Sequence, residues 1–340
     1  MGKAARAGFA IEIRERYRDI EHERWPVSVD PFPDELLSSW LHRLALANGI
    51  APRPFANVLG LSDRKWSPRL DLRLPRHVAT FLSDQTGLAL KNLSAMAMSG
   101  VAMAPLLLPL RDSAHRNLST WMQYCPQCLA ADEVSYFRRQ WRLASRVSCF
   151  VHGCGLRDRC PACHAGVAAF DQGELLPQHI CVRCGFDLRA APKASVKAAA
   201  RRLERAIADT FRVESAIGST KASDAVSRVL RAPAAADVRS RRTLTNLSSA
   251  ARIRCFETLA LKYPDWLVND TNRARGYRRL MIVAAGGHEA MITRFADFLE
   301  RHQARSKPRR FCQPDADLAD LLTAYTRMMI RYTSSKHMIA

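Results

Sequence analysis

Cys125-Pro126-Gln127-Cys128, Cys149-Phe150-Val151-His152, Cys160-Pro161-Ala162-Cys163 and Cys181-Val182-Arg183-Cys184 are four pairs of soft metal ligands between positions 125 and 184. In each pair a two-residue gap lets one tight turn aim both side chains at a single ion. Random placement of ten cysteines in a chain of this length would give about 0.3 Cys-x2-Cys pairs, and three are present. The second half, C-x2-C-x17-C-x2-C, falls in the spacing range of a zinc ribbon. Read in chain order, the pairs predict two tetrahedral zinc sites, one of three cysteines and a histidine and one of four cysteines. A cross-braced pairing, first with third and second with fourth, uses the same residues. Cys154 and His164 lie close enough to substitute as ligands, whereas Cys255 and Cys312 have no partner at ligand spacing and read as buried core thiols.

Other uses of these cysteines fit less well. A disulfide framework needs an oxidising compartment, and the first twenty residues are rich in arginine and glutamate, unlike a signal peptide. A redox Cys-x-x-Cys would stand alone beside a βαβ pattern. Four protein ligands per site leave no open position for catalysis, and G-x4-G-K-[ST], H-E-x-x-H and G-x-S-x-G are all absent from the sequence. The expectation is a non-enzymatic protein with two structural zinc ions and no small-molecule substrate.

Outward from the ligand pairs, the sequence reads as mainly α. Pro31-Phe32-Pro33 leads into a helix beginning near Asp34, with Leu37, Trp40, Leu41 and Leu44 as its apolar stripe and Asn48-Gly49 as its stop. Residues 75–98 read as two helices joined at Thr86-Gly87-Leu88. Ser83, Gly87 and Leu93 have the offsets of a helix-turn-helix, though a plain helical hairpin fits them equally. From Ser195 on, helices are predicted at Val196–Glu214, Asp224–Arg231, Ser248–Lys262, Tyr277–Ala285, Glu289–Gln303 and Asp317–Tyr332. The predicted organisation is an arm (1–24), a helical helix-turn-helix domain (25–118), a double zinc-binding region with small ribbon-like β elements (119–190) and a basic helical C-terminal domain (191–340). The stretch from Ala95 to Leu110 is too short and too interrupted by proline and glycine to span a membrane. A bacterial cytoplasmic location is therefore expected.

The net charge of +20 comes from 52 basic against 32 acidic residues, and residues 191–340 hold 28 of the basic against 14 of the acidic ones. Arginine dominates, the side chain suited to phosphate forks, so a nucleic-acid partner is expected. The candidate contacts are clusters: Arg239, Arg241 and Arg242; Arg252 and Arg254; Arg273, Arg275, Arg278 and Arg279; and, further on, Arg305, Lys307, Arg309 and Arg310.

Together these residues resemble a known family. Pro31-Phe32-Pro33-Asp34-Glu35-Leu36-Leu37-Ser38-Ser39-Trp40-Leu41-His42-Arg43-Leu44-Ala45, followed by Ala47-Asn48-Gly49, is similar to the opening of TniQ/TnsD proteins, the target-selection factors of bacterial transposons. Tyr124-Cys125-Pro126-Gln127-Cys128-Leu129, then Asp132, Tyr136, Arg138 and Trp141-Arg142-Leu143, resembles that family's first zinc knuckle. Val147-Ser148-Cys149-Phe150-Val151-His152 and Leu156-x3-Cys160-Pro161-x-Cys163 continue the pattern. The resemblance implies an adaptor that recognises the insertion site, directly on DNA or through a CRISPR guide-RNA complex, and recruits an AAA+ ATPase regulator and the transposase. It implies that Cys125, Cys128, Cys149 and His152 hold one zinc and Cys160, Cys163, Cys181 and Cys184 the other. It implies a helix-turn-helix in the N-terminal unit, and a homodimer as in some members. Long members of the family carry an extended C-terminal region that this sequence does not show, which points away from autonomous site reading. The competing reading is a zinc-ribbon and helix-turn-helix transcription regulator without transposase partners.

Overall fold

A computed structural model describes residues 24–60, 69–98, 103–110, 118–167, 173–216, 224–236, 243–262, 264–270, 272–303 and 325. Thirteen α-helices occur among them. In the N-terminal unit these are α1 (Leu37–Ala47), α2 (Pro52–Val58), α3 (Arg69–Leu72), α4 (Arg76–Thr86) and α5 (Leu90–Met96). The middle contributes α6 (Pro126–Ala131). The remainder are α7 (Ala198–Ala216), α8 (Asp224–Leu230), α9 (Ala232–Ala235), α10 (Ser249–Leu259), α11 (Asp265–Val268), α12 (Arg273–Ala285) and α13 (His288–Gln303). The expected helix Asp317–Tyr332 lies outside the described residues apart from Tyr325, as does Cys312.

α1 buries the predicted stripe of Leu37, Trp40, Leu41 and Leu44 and ends at Asn48, with Gly49 in the left-handed conformation (φ +69°). Its start is three residues later than expected. Asp34 itself takes a left-handed φ of +57°, which the helix cannot continue. Glu35 turns to Arg43, with Oε2 2.6 Å from Nη2. The free N–H groups of the first turn find an acceptor far along the chain. Asp71 on α3 accepts from Ser38 N (2.8 Å) and Ser38 Oγ (2.9 Å), acting as a cap supplied in trans. Burial pushes the Asp71 carboxyl up to about 6.

α1 to α5 enclose one apolar core, with Phe55, Leu70, Val78, Leu82 and Leu93 against the α1 stripe and Trp25 tilted against Phe55 and edge-on to Phe81. A second core takes in Leu36 and runs on from Met98 to Leu267. It joins Tyr124, Leu129, Phe137, Trp141 and Leu156 of the middle region to Ile207, Phe211, Val226, Phe256 and Leu259 of the later helices. The two cores are tied by Leu36 N to Phe137 O (2.9 Å), Arg139 N to Asp34 O (2.8 Å) and Phe137 N to Ser39 Oγ (2.9 Å). α12 and α13 pack on α7 through Ala206, Ile282 and Met291.

Strand character among the described residues is confined to single antiparallel bridges, including Tyr124–Arg157, Ser148–Gly155, Arg159–Gly166 and Ile180–Asp187. Each of the last three closes one ligand turn. The segment Arg139–Arg142 is a 3-10 turn. No helix of the described residues is long and apolar enough to cross a membrane.

Candidate metal centres and basic surface

Three of the four ligand pairs share one backbone solution. In Cys149–Gly153, Cys160–His164 and Cys181–Gly185 the fifth residue donates its N–H to the carbonyl of the first, at 2.8, 3.0 and 2.8 Å. That fifth residue has positive φ each time: Gly153 +65°, His164 +60° and Gly185 +71°. The first cysteine then donates its own N–H one residue further on, to Cys154 O, Ala165 O and Phe186 O. The fourth pair differs. Cys125 is the N-cap of α6, and its sulfur accepts from Cys128 N at 3.4 Å. His152 N donates likewise to Cys149 Sγ at 3.4 Å.

These turns gather the eight residues into two groups, Cys125, Cys128, Cys149 and His152, then Cys160, Cys163, Cys181 and Cys184, with the ligand atoms of each group within 4.8 Å of one another. The grouping is sequential and not cross-braced. Bond lengths of about 2.3 Å for Zn–S and 2.0–2.1 Å for Zn–N require edges of roughly 3.8 Å between sulfurs and 3.6 Å between sulfur and nitrogen in a tetrahedron. The structure has Cys128–Cys149 at 3.4 Å, Cys160–Cys184 at 3.7 Å and Cys163–Cys181 at 3.6 Å. His152 Nδ1 lies 3.6, 3.3 and 3.6 Å from the sulfurs of Cys125, Cys128 and Cys149. A disulfide would need about 2.05 Å, so these are metal-sized cages.

The electrostatics agree. Hydrogen bonds from the Cys128 and Cys149 side chains hold the Cys125 thiol down to about 6, while hydrogen bonds with Cys125 and Cys149 push the Cys128 thiol up. Burial pushes Cys181 up to about 12. Thiols this close cannot all ionise unless a cation compensates them, and a divalent ion does so. Both sets therefore fit zinc, and each is complete with four protein donors.

The other two ligand candidates stand apart. Cys154 Sγ touches Cys125 Sγ at 3.5 Å but falls outside the four-atom cage, and His164 serves as the positive-φ residue of its turn. Cys255 is a buried thiol pushed up to about 12 by burial.

The first cage is deeply set. Cys125, Cys128 and Cys149 are buried with Phe137 and Trp141 in the second core, whereas Cys163 and Cys184 of the other cage are exposed. The first cage is also latched to α7. Glu204 is buried and accepts from Val147 N (3.1 Å), Ser148 N (3.1 Å) and Ser148 Oγ, with Arg146 Nη1 at 3.7 Å. Burial pushes its carboxyl up to about 7 against the pull of Arg146. A raised acid holds in the fold a proton that the unfolded chain has already released. Its contribution is therefore complete below the ordinary carboxylate range and is lost as pH climbs through about 7. Glu204→Gln should gain on wild type by roughly 2 kcal/mol between about pH 5 and about pH 8 in denaturant titrations. Ligand protonation is common to both proteins and cancels in the difference. A pH-independent gap would contradict the burial account.

The family comparison can now be placed on this geometry. Residues 26–156 match the TniQ family model. Over this segment the chain is similar to the TniQ family. The TniQ match takes in the N-terminal core and the whole of the first cage, and ends before Cys160, so the second cage and the later helices lie C-terminal to the TniQ segment. No curated protein matches the chain.

The arginines singled out in the sequence divide sharply. Arg252 and Arg279 are corrected as nucleic-acid contacts, because both are buried and bonded to the protein. Arg252 Nη2 donates to Gln123 Oε1 at 2.8 Å and Nη1 to Leu247 O. Arg279 lies among Glu214 Oε1 (2.7 Å), Asp270 Oδ2 (3.2 Å) and Asp224 Oδ2 (3.5 Å). Arg254 and Arg273 are exposed, and Arg275 and Arg278 half-buried, with Arg275 3.7 Å from Asp270. Arg239, Arg241 and Arg242, like the run from Arg305 to Arg310, lie outside the described residues.

Proposed function

We propose that this protein is a TniQ-family member and a non-enzymatic target-selection adaptor for transposition, working in the bacterial cytoplasm. It engages target DNA directly or through a guide-RNA complex, and brings an AAA+ ATPase regulator and the transposase to it. The TniQ match over residues 26–156 carries this reading. Two cages closed by four protein ligands each support a scaffolding role for two zinc ions, since no position is left for water or substrate. Cys125, Cys128, Cys149 and His152 would hold one ion, and Cys160, Cys163, Cys181 and Cys184 the other.

Within this reading, 25–118 is the recognition domain, 119–190 the zinc-bound scaffold and 191–340 the basic domain, preceded by the arm 1–24. The pair α4 and α5 is proposed as a helix-turn-helix. Gly87 turns at φ +73°, its N–H caps Ser83 O at 2.8 Å, and Leu93 is buried between the helices. Lys91, Asn92 and Ser94 then face outward on α5. Arg254, Arg273, Arg275 and Arg278 remain candidate phosphate contacts, together with the undescribed Arg239, Arg241 and Arg242. A second copy of the chain is a further candidate partner.

A pull-down of the tagged full chain from its native host tests the proposal. An AAA+ ATPase and a transposase should be recovered, with loss of transposition when the gene is deleted. Recovery of RNA polymerase alone, with transposition unchanged by the deletion, would replace it with the transcription-regulator reading.

A further inference from the structure

We propose that the outward face of α7, carrying Lys197 just before it and then Arg201, Arg205 and Arg212, forms with the Phe150–Val151 tip of the first cage a seat for the phosphodiester backbone of a nucleic acid. This deepens the target-selection reading and rests on it.

The helix sorts its charges by face. Of its three acids, Glu204 and Glu214 are buried and committed inside, to Val147 and Ser148 and to Arg279. The third, Asp209, accepts from His288 N at 2.9 Å. Opposite the buried row of Ala200, Leu203, Ile207 and Phe211, positions 197, 201, 205 and 212 fall on one side of a 3.6-residue helix. With a 1.5 Å rise they form a straight row roughly 22 Å long.

That row works against the helix that bears it. Lys197/Arg201 and Arg201/Arg205 are like-charge i,i+4 pairs, which destabilise an isolated helix. Among the described residues no ion pair joins Lys197, Arg201 or Arg205 to a carboxylate. Arg212 has only an exposed contact with Asp209 at 3.4 Å, its side chain 77% accessible. Apart from Arg201, the row adds nothing to the core, whereas a linear polyanion neutralises all of it at once.

The first cage extends the row with apolar surface. Arg201 Nη1 donates to Gly153 O at 3.2 Å, fixing the ridge against the turn that holds Cys149 and His152. The Phe150 ring sits over the Arg146 guanidinium at 3.4 Å, with Arg205 at 5.9 Å. Phe150 is 38% and Val151 78% exposed at the tip. A row of guanidinium forks beside an exposed ring and a branched apolar side chain suits phosphates flanked by sugars or bases.

The test uses full-length protein and fluorescence anisotropy on random-sequence duplex DNA and duplex RNA across a salt series. The variant Lys197→Gln/Arg205→Gln/Arg212→Gln spares Arg201, which braces the cage. A second variant adds Arg201→Gln. Thermal midpoint and zinc content show whether each is folded. The triple variant should lose roughly 100-fold in affinity near physiological salt, with its log–log salt slope falling by about 3, and the quadruple variant should fall further. Loss on DNA alone, on RNA alone or on both identifies the source of the backbone and supports the seat. Wild-type affinity and slope in a folded triple variant would overturn it, as would a wild-type slope near zero. So would intact nucleic-acid binding with loss of the ATPase from the pull-down, which would make the ridge a protein-docking face. If the seat fails while ATPase and transposase still co-purify, the target-selection reading stands; if they do not co-purify, that reading fails whatever the ridge binds.

Discussion

Cys149→Ser is expected to release one zinc and collapse the second core, whereas Cys163→Ser releases one zinc and unfolds only its own turn region. The contrast follows from depth. Cys125, Cys128 and Cys149 are buried beside Tyr124, Leu129, Phe137 and Trp141, and that core continues into α7, α8 and α10. Structural zinc binding is worth about 10–16 kcal/mol in small zinc modules, and whole domains are stable by only about 5–15 kcal/mol. Losing one thiolate from the buried cage therefore exceeds what the surrounding packing can offset. The second cage has Cys163 and Cys184 at the surface, with only Cys160 and Cys181 buried. Its loss should leave most helical circular dichroism in place. A Cys149→Ser protein with the wild-type melting midpoint would contradict this ranking.

Arg279→Ala should cost about 3–5 kcal/mol, because it strips a buried cation from the carboxylates of Glu214 and Asp270. Glu214 and Asp270 are themselves almost fully buried beside it, and Leu267 O loses a donor at 3.2 Å. Arg252→Ala should behave similarly, stranding Gln123 Oε1 and Leu247 O, though less severely since its direct partners are a neutral amide and a carbonyl. Arg273→Ala, at an exposed position, should leave the urea midpoint unchanged. If Arg279→Ala weakened nucleic-acid binding while leaving stability intact, the buried hub would be wrong and the arginine would be a surface contact after all.

These two arginines show where sequence reading stops. The ligand pairs were legible because each is a local event, two side chains on one turn, and the cages needed only that neighbouring turns meet. The α1 stripe was legible for the same reason, since Leu37, Trp40, Leu41 and Leu44 share one face by helical period alone. The start of α1 was not, because its cap is Asp71, 33 residues away, and Glu35 is drawn to Arg43. Arg252 and Arg279 looked like members of basic clusters, yet their partners lie 129 residues off at Gln123 and 65 off at Glu214.

The ridge on α7 was missed for the opposite reason. Its cations are spread at intervals of four and seven, so no cluster shows in a linear scan. A helical projection of 197–214, with Glu204 and Glu214 falling on the apolar side, would have separated them. Ribbon-like β structure was anticipated around the knuckles and is present only as single bridges, because turns this short have room for one pair each.

The first metal cage, latched to Glu204, ties the TniQ-matched segment to α7, and a second cage that also fits zinc follows it. The most direct test is the metal content of folded, full-length protein purified without chelator, measured by elemental mass spectrometry against protein concentration. Two zinc ions per chain are predicted from the two four-ligand groups. Folded protein with no bound metal, or with only one ion per chain, would contradict it.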